Sequence, residues 1–381
     1  MRLESKEFLL EYQQAFCASG EGPGLIKGYT YKAILKPGMG PPRQPVRRYG
    51  PYMRQIIDEE ARKMVEHGVW VPTSTSVAEN PIILIKKKNT DPNEPPKWRV
   101  VSDLRAFNNS IQPLYMERRV KAYSDLIDTC SGKNYYATMD LQSAFFNVPI
   151  EDEATKDLLG FSVPSGARYT YARMPMGAKN SPMVLEHVLS QVLHEENWSI
   201  LTIYLDDILT FNDSPRGLLN NLKTIISKLH AVGFKLNPKK CEFFKREVKY
   251  LGKILCRHGT RPNPELVQDV LDWKTPTSVK QVRAFIGLTQ FNKEFIPRCS
   301  EILAPLFNLL KKGVKFHWGP QHEQAFNTLK EKLTNAPVLA PVPQSFKGVQ
   351  LILDTDASLE CVGSVLNVVT PEGVRPVAYY S

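Results

Sequence analysis

The sequence has few cysteines and no long apolar run. The first argues against a zinc-binding protein, and the second argues against a membrane-spanning protein. Its six cysteines stand far apart, with no Cys-x-x-Cys pair and no histidine cluster beside them. We therefore expect no zinc site, and we expect the cysteines to be reduced thiols in an intracellular protein. No apolar run reaches the roughly 18 residues that a membrane-spanning helix needs. The charged start, MRLESKEFLLEYQQAF, is not a signal peptide. We therefore expect no membrane partner.

The balance of charge points to a polyanionic partner. The chain has 49 Lys and Arg against 39 Asp and Glu, which gives a net charge of +10. A chain this basic most often binds nucleic acid, although charge alone leaves other surfaces open. Its 381 residues, 42% of them hydrophobic, are enough for roughly two to four domains with real cores.

Local patterns divide the chain into four stretches. Residues 1–50 begin with an amphipathic helix and continue as a Gly- and Pro-rich lead-in. Residues 51–258 alternate short strands with amphipathic helices. One of those helices follows Ser214-Pro215 and has one apolar face, formed by Leu218, Leu222, Ile225 and Leu229. Residues 259–318 are mostly helical, and residues 319–381 form a helix followed by the strands LILDTDAS, CVGSVLNVV and VRPVAYYS. The pattern predicts an α+β body, a helical segment and the start of a further domain.

Three acids stand where apolar strands end. Asp140 closes the run YYATMD, and Asp206 and Asp207 lie at the centre of the hairpin TIYLDDILTF. Adjacent acids at a tight turn repel each other, and a cation is their simplest partner. Carboxylate oxygens suit Mg²⁺, and two such ions suit the attack of a primer hydroxyl on an α-phosphate. An isolated Asp-Asp pair is more often a solvated turn, and the apolar hairpin makes this one specific.

From about Tyr52 to Ser381 the chain resembles the polymerase of long-terminal-repeat retroelements, most of all the gypsy class. The resemblance lies in the ordered blocks MDLQSAFFNVPI, MPMGAKNSP, YLDD, KLNPKKCEFF, YLG and RAFIGLTQFNKEFIPRCSEILAPLFNLLKK. It implies an α+β right-hand polymerase, with fingers and an antiparallel palm sheet over 51–258. A helical thumb or connection follows over 259–318, then a truncated α/β ribonuclease H-like domain over 319–381.

The resemblance also implies an activity, RNA-directed and DNA-directed DNA polymerisation. Asp140, Asp206 and Asp207 match the triad that binds two Mg²⁺ ions, with Mn²⁺ as a substitute, and the first two hold the ions most directly. The implied partners are an RNA or DNA template with its primer, and deoxynucleoside triphosphates. The implied location is the cytoplasm, including virus-like particles.

Three further residues match positions that bind the incoming nucleotide. Lys87 and Arg99, on the two strands of a fingertip hairpin, match the positions that hold the triphosphate, as a point charge and a donor fork. Lys86 or Lys88 replaces Lys87 if the register differs by one. Phe145 matches an aromatic residue under the sugar, where a ring clashes with a 2′-hydroxyl. The alternative is that Phe145 and its neighbour Phe146 both belong to the core.

Met176 and Gly177 fall in the block that positions template and nucleotide. Met176 departs from the Gln of retroviral enzymes and the Phe frequent in gypsy elements, and its apolar side chain cannot hydrogen-bond a nucleotide, so we expect it to pack. Gly177 and the helix start at Ser181-Pro182 place backbone donors near the nucleotide or template.

Two later features have open interpretations. The triplet Tyr250-Leu251-Gly252 either seats the primer end or packs as part of a strand. A group of basic residues either follows nucleic-acid phosphates or forms a solvated surface, and its members are Lys235, Lys239, Lys240, Lys245 and Arg246.

The final strands resemble the first strands of ribonuclease H. Asp356 matches that domain's first metal-binding acid, and Asp354 is the less favoured alternative. Its remaining acids are expected beyond Ser381, so we expect this chain alone not to cleave RNA in hybrids. The sequence also lacks an aspartic-protease triplet, because DTDAS has no Gly, and it lacks a zinc knuckle and an integrase-like zinc box. These features suggest a piece of a larger polyprotein.

Two competing hypotheses remain open. One is a decayed or domesticated relative that binds nucleic acid without catalysis. The intact acids, Lys87, Arg99 and Phe145 favour an active enzyme over this. The other is a polymerase of a different lineage, such as a group II intron or telomerase. The helical segment that leads into the DTDAS strands argues against it.

Overall fold

The structure is a computed structural model that describes residues 2–87, 95–115, 122–194, 196, 199–343, 345–357 and 361–381. The chain divides into two compact units. The first comprises Met1–Val120, Thr138–Thr210 and Leu219–Phe243, and the second comprises Lys121–Ala137, Phe211–Leu218 and Phe244–Ser381. The domain bounds expected from the sequence remain a prediction.

Helices and strands are mixed along the whole chain. The helices are α1 (Arg2–Glu11), α2 (Pro51–Glu66), α3 (Arg105–Ser110), α4 (Tyr123–Cys130), α5 (Glu153–Asp157), α6 (Ser181–Val192), α7 (Pro215–Val232), α8 (Pro264–Leu271), α9 (Val279–Gln290), α10 (Cys299–Asn308) and α11 (Pro320–Thr334). The strands are β1 (Trp70–Pro72), β2 (Ile82–Lys86), β3 (Trp98–Ser102), β4 (Tyr135–Asp140), β5 (Phe161–Ser162), β6 (Arg168–Tyr171), β7 (Leu201–Tyr204), β8 (Asp207–Asn212), β9 (Glu242–Lys245), β10 (Glu247–Tyr250), β11 (Lys253–Cys256), β12 (Gly259–Pro262), β13 (Leu351–Ala357), β14 (Val362–Thr370) and β15 (Gly373–Tyr380).

A four-stranded sheet in the order β7-β8-β4-β9 carries the predicted acids. β7 and β8 form an antiparallel hairpin in which Tyr204 pairs with Asp207. The residues just inside the turn, Ile203 and Ile208, are almost fully buried. Burial of these apolar side chains fixes the register, because a slip of one residue would turn them to the opposite face. The two residues of the turn therefore lie at the rim of the sheet.

Amphipathic helices also supply buried apolar side chains. Each places one apolar face inside, as the 3.6-residue period predicts. On α6 the buried apolar residues are Val184, Leu185, Val188 and Leu189. The apolar face predicted for α7 is confirmed, because Leu218, Leu222, Ile225 and Leu229 are at most 1% exposed.

A separate two-stranded hairpin, β2–β3, projects from a base that is fastened by Asp103. The Asp103 backbone N–H donates to Pro81 O at 2.8 Å, and its carboxylate accepts from Arg47 Nη2 at 2.9 Å and from Arg105 Nη2 at 2.6 Å. The side chain is only 3% exposed. The backbone of Asp103 thus joins the two ends of the hairpin, and its carboxylate joins them to Arg47 and Arg105.

The second unit has a helical core and two small sheets. Residues from α8 to α11 pack around Phe285 and Phe326, whose ring centroids are 4.6 Å apart. The sheet β10-β11-β12 contains Lys253, which is 1% exposed, forms an ion pair with Glu294 and lies over the rings of Tyr123 and Phe295. β13, β14 and β15 form the last antiparallel sheet.

The cysteines and the most apolar helices bear on disulfide bonding and membrane insertion. All six cysteines lie in the described ranges, and no disulfide joins them. Of the helices in those ranges, none is both long enough and apolar enough to cross a bilayer.

Candidate active site

The turn between β7 and β8 presents two adjacent carboxylates. It consists of Leu205 and Asp206, because Tyr204 and Asp207 are the last paired residues. Leu205 has φ = 58°, a left-handed conformation that costs a residue with a Cβ about 1 kcal/mol or more. The buried strands on both sides hold this strained turn in place, and such strain is concentrated at functional sites. Asp206 lies in the turn itself, and Asp207 is the first residue of β8.

The sheet order brings the third carboxylate to the same place. β4 lies beside β8 in the sheet, and it ends at Asp140. The pKa of the Asp207 carboxyl is raised, first by desolvation in the surrounding protein and then by the negative charges of Asp206 and Asp140. The predicted triad is therefore one electrostatically coupled group, although its acids lie 66 positions apart in sequence (206 − 140).

A lysine forms an ion pair with the first acid. Lys240 Nζ lies 3.2 Å and 3.1 Å from the two carboxylate oxygens of Asp140. The same lysine lowers the pKa of Asp207, opposing the two carboxylates. The sequence predicts Lys240 only as one of five basic residues that either follow nucleic-acid phosphates or form a solvated surface. Its contact with Asp140 depends on β9 lying beside β4, and no local sequence pattern indicates that order.

The donor set fits hard divalent ions. All three side chains supply carboxylate oxygens, which Mg²⁺ prefers, and Mg²⁺ keeps several waters for substrate phosphates. The excess of negative charge, partly balanced by Lys240, also favours a cation. Within the described ranges no set of three His, Cys, Asp or Glu side chains is already close enough to enclose a single ion. A metal would therefore be completed by water and substrate oxygens.

The fingertip hairpin places two cations on one face. Arg99 pairs with Ile85 across β2 and β3, and directly opposed residues share a face. Lys87 is two residues beyond Ile85 and continues the ladder, because its backbone N–H donates to Lys97 O at 2.8 Å. The period of two puts Lys87 on the face of Arg99 and Lys86 on the other, and both predicted residues are exposed. Lys88, the other alternative, lies outside the described residues.

The two phenylalanines after the first acid differ in their surroundings. Phe146 stacks on Tyr171, with ring centroids 6.4 Å apart. Phe145 is half-buried in the short 3-10 helix Ala144–Asn147. Both rings are partly buried, and the alternative that they belong to the core has support for Phe146, whose partner Tyr171 is 4% exposed. The selection role of Phe145 stays a prediction.

Met176 and Gly177 lie in a turn that side-chain amides hold in place. Gly177 has φ = 89°, which favours glycine. Asn108 Nδ2 donates to Gly177 O at 2.9 Å, and Asn108 Oδ1 accepts from Lys179 N at 2.8 Å. Met176 is 42% exposed, so the expectation that it packs inside the protein is wrong.

Some of the predicted phosphate-binding cations have partners within their own unit. Lys235 pairs with Glu21 at 3.1 Å, and the Arg246 guanidinium lies 3.9 Å from the centroid of the Tyr135 ring. These two contacts support a structural role for Lys235 and Arg246.

The triplet at 250–252 is a tight turn within the second unit. Leu251 and Gly252 both have positive φ, 46° and 78°, and Leu251 O accepts from Tyr123 Oη at 2.7 Å. Tyr250 is buried at the end of β10. Packing thus accounts for Tyr250, and the turn itself is in contact with Tyr123 and Phe291. A role in seating the primer end stays a prediction.

The predicted ribonuclease H acids lie two residues apart on β13. Asp356 is exposed and pairs with Arg298 at 3.0 Å. Asp354 accepts from Asn367 Nδ2 at 3.0 Å. Because alternate residues of a strand share a face, the structure leaves both candidates open.

Comparison with protein families gives two matches. Residues 85–255 match the family described as reverse transcriptase (RNA-dependent DNA polymerase). Residues 318–381 match the RNase H-like domain found in reverse transcriptase. The first match contains all three acids and Arg99, and the second contains Asp354 and Asp356. The family resemblance predicted from the sequence is confirmed.

Curated relatives agree with those matches. The Tf2-3 and Tf2-4 transposon polyproteins of Schizosaccharomyces pombe are each 30% identical to this chain over 362 residues, which is 94% of the chain. The chain spans 26% of the length of these polyproteins.

Solved structures show the fold. Foamy viral protease-reverse transcriptase in complex with double-stranded DNA is similar with a TM-score of 0.84 and 22% identity, over 99% of this chain and 76% of that one. The same enzyme with an RNA/DNA hybrid gives a TM-score of 0.78 and 21% identity, over 99% and 49%. The predicted α+β right-hand polymerase fold is confirmed.

Proposed function

We propose that this chain, whose residues 85–255 belong to the reverse transcriptase family, copies RNA and DNA templates into DNA. The observation that carries the proposal is the coupling of Asp140, Asp206 and Asp207 at the rim of the β7-β8-β4-β9 sheet. Two separate segments, β4 and the β7–β8 hairpin, supply these three acids inside a domain of a polymerase family. The Tf2 polyproteins and the foamy viral complexes with DNA and with an RNA/DNA hybrid support a nucleic-acid substrate.

Asp140 and Asp206 would hold two Mg²⁺ or Mn²⁺ ions, with Asp207 close by. When bound, such ions activate the attacking oxygen and neutralise charge on the leaving one. The residues of the chain position the reactants. The strained turn at Leu205 keeps Asp206 at the rim. The pKa of Asp207 is raised first by burial and then by the negative charges of Asp206 and Asp140, which the ions would balance.

Lys87 and Arg99 would bind the triphosphate of the incoming nucleotide. Both are exposed and share one face of β2–β3. The Lys ammonium supplies a point charge, and the Arg guanidinium supplies two parallel donors for phosphate oxygens. Asp103 anchors the base of this hairpin, so the two cations project from a fastened support.

Phe145 would contact the deoxyribose, and the turn at Met176-Gly177 would face the nucleotide or the template. The Phe145 ring is half-buried and follows the first acid by five residues; under a sugar it would clash with a 2′-hydroxyl. The exposed Met176 side chain offers an apolar surface and no hydrogen bond. As location we propose the cytoplasm, including virus-like particles.

Primer extension tests the proposal. Purified chain is given poly(rA)/oligo(dT), dTTP and Mg²⁺, and the wild type is compared with Asp206→Asn. Asp213→Asn is the matched control, since Asp213 follows β8 and its side chain is 63% exposed. We expect extension by the wild type and the control, and a loss of about 100-fold or more in Asp206→Asn, the scale of removing one preorganised electrostatic group. A wild type that binds primer–template without extending it would select the decayed-relative hypothesis.

A further inference from the structure

The ion pair between Lys240 and Asp140 is unusual for its place. Its ammonium contacts both oxygens of a predicted metal ligand, although Lys240 is 64% exposed and Asp140 27% exposed. Exposed pairs of this kind contribute little by themselves, since ordering a long side chain offsets the Coulomb gain. Something other than the pair must therefore keep Lys240 close to Asp140.

The backbone provides that fixation. Asn237 N donates to Asp140 O at 2.8 Å, and Lys240 N and Cys241 N both donate to Asn237 O at 3.1 Å. These bonds close a turn over residues 237–241 and attach it to the main chain of Asp140. β9 then begins at Glu242 beside β4. The Lys240 side chain thus starts from a fixed point beside the carboxylate.

The ammonium of Lys240 lies at the end of β4, where it contacts both carboxylate oxygens of Asp140. β4 neighbours β8, which begins at Asp207. Three carboxylates in one place are costly without a cation. A divalent ion bound by Asp140 would replace the ammonium as the balancing charge, and the two cations cannot occupy the same oxygens.

We propose that Lys240 is a built-in counter-cation that occupies Asp140 until a divalent ion displaces its ammonium. The lysine steadies the metal-free site and weakens metal binding, because each ion must displace a positive charge. Metal therefore binds firmly only when substrate phosphates add their own negative charge. This inference rests on the proposed function in one respect, that Asp140 is a metal ligand.

Direct Mn²⁺ binding tests the inference without any catalytic readout. Free Mn²⁺ is measured by electron paramagnetic resonance during titration of the chain, with no nucleotide and no nucleic acid. We expect Lys240→Met to bind Mn²⁺ about tenfold more tightly than the wild type, the scale of removing one partly screened like charge. Lys240→Arg, which keeps the charge, should stay near the wild type. Lys239→Met is the matched control on the same turn and should leave the affinity unchanged.

Two further measurements keep the test decisive. Asp140→Asn should weaken Mn²⁺ binding at least tenfold, which would assign the measured ion to this site. Thermal unfolding should show that Lys240→Met is folded and gains more from Mn²⁺ than the wild type does. Equal or weaker Mn²⁺ binding by folded Lys240→Met overturns the inference, as does the same gain in Lys239→Met.

Failure of the inference and failure of the proposed function look different. A wild type that extends primers, combined with an unchanged Mn²⁺ affinity in Lys240→Met, refutes only the counter-cation. A wild type that does not extend primers, combined with tighter Mn²⁺ binding by Lys240→Met, refutes only the polymerase activity.

Discussion

Asp103→Asn removes the charge of a buried carboxylate that holds two arginines at the base of the β2–β3 hairpin. The carboxylate accepts from Arg47 Nη2 and from Nε and Nη2 of Arg105. The Arg105 guanidinium, chiefly through these hydrogen bonds, lowers the pKa of Asp103 to about 2. An Asn of the same shape keeps some hydrogen bonds and loses the charge, so the variant isolates the electrostatic part.

The magnitude follows from the pKa shift. An Asp with an ordinary pKa of 3.8 that falls to about 2 on folding contributes about 2 kcal/mol at neutral pH. Because the folded pKa is the lower one, this contribution is complete above the unfolded pKa. It is lost as the pH falls through the folded pKa. Arg105 is 78% exposed, so its freed guanidinium returns to water at little cost.

Urea unfolding at three pH values checks this prediction. We expect Asp103→Asn to be less stable than the wild type by about 2 kcal/mol at pH 7 and pH 5, and by about half that at pH 3. Glu153→Gln is the control, because Glu153 is 80% exposed and pairs with Lys156, so its loss should cost less than about 0.5 kcal/mol. Equal stability of Asp103→Asn and the wild type at pH 7, or a difference that does not shrink at pH 3, would refute the reasoning.

Three other predictions concern single side chains. Phe145→Val should raise incorporation of ribonucleotides relative to deoxynucleotides about tenfold or more, measured by single-nucleotide extension, and unchanged discrimination would end the steric account. Lys87→Ala should raise the KM for dTTP about tenfold, whereas Lys86→Ala, on the opposite face, should leave the KM nearly unchanged, and equal effects would contradict the assigned register. Glu294→Gln, which removes the ion-pair partner of the buried Lys253 and leaves the charge interaction with Asp128, should lower the free energy of unfolding by about 3 kcal/mol, and Lys253→Met by clearly less. The opposite order in urea unfolding would show that the ion pair is not costly to break.

Local patterns were sufficient for the elements that hold the acids. The two apolar runs that flank Asp206-Asp207 predict the β7–β8 hairpin, because short continuous apolar runs on either side of a polar centre are typical of two buried strands joined by a turn. The face of α7 follows from the helical period in the same way. Both depend on neighbours within a few residues, and both are present in the structure.

Contacts between residues far apart in sequence could not be predicted from those local patterns. The pairing of Lys240 with Asp140 depends on β9 lying beside β4, an order that no local period encodes. The hydrogen bond of the Asp103 carboxylate with Arg47 joins residues that are 56 positions apart in sequence. Met176 was expected to pack because it is apolar, yet a single apolar side chain at the surface is common and a turn can expose it. The lysine at position 253 gave no sign of burial, since its partner Glu294 comes from a different part of the second unit.

The proposed function requires Asp140 and Asp206 to hold the divalent ions, with Asp207 close by. Anomalous scattering from Mn²⁺ in crystals of the chain with a primer–template and a non-hydrolysable dTTP analogue tests it most directly. We predict peaks liganded by Asp140 and Asp206, with the Lys240 ammonium moved away from Asp140. Bound nucleotide with Mn²⁺ peaks elsewhere, or with none beside these two residues, would contradict the account.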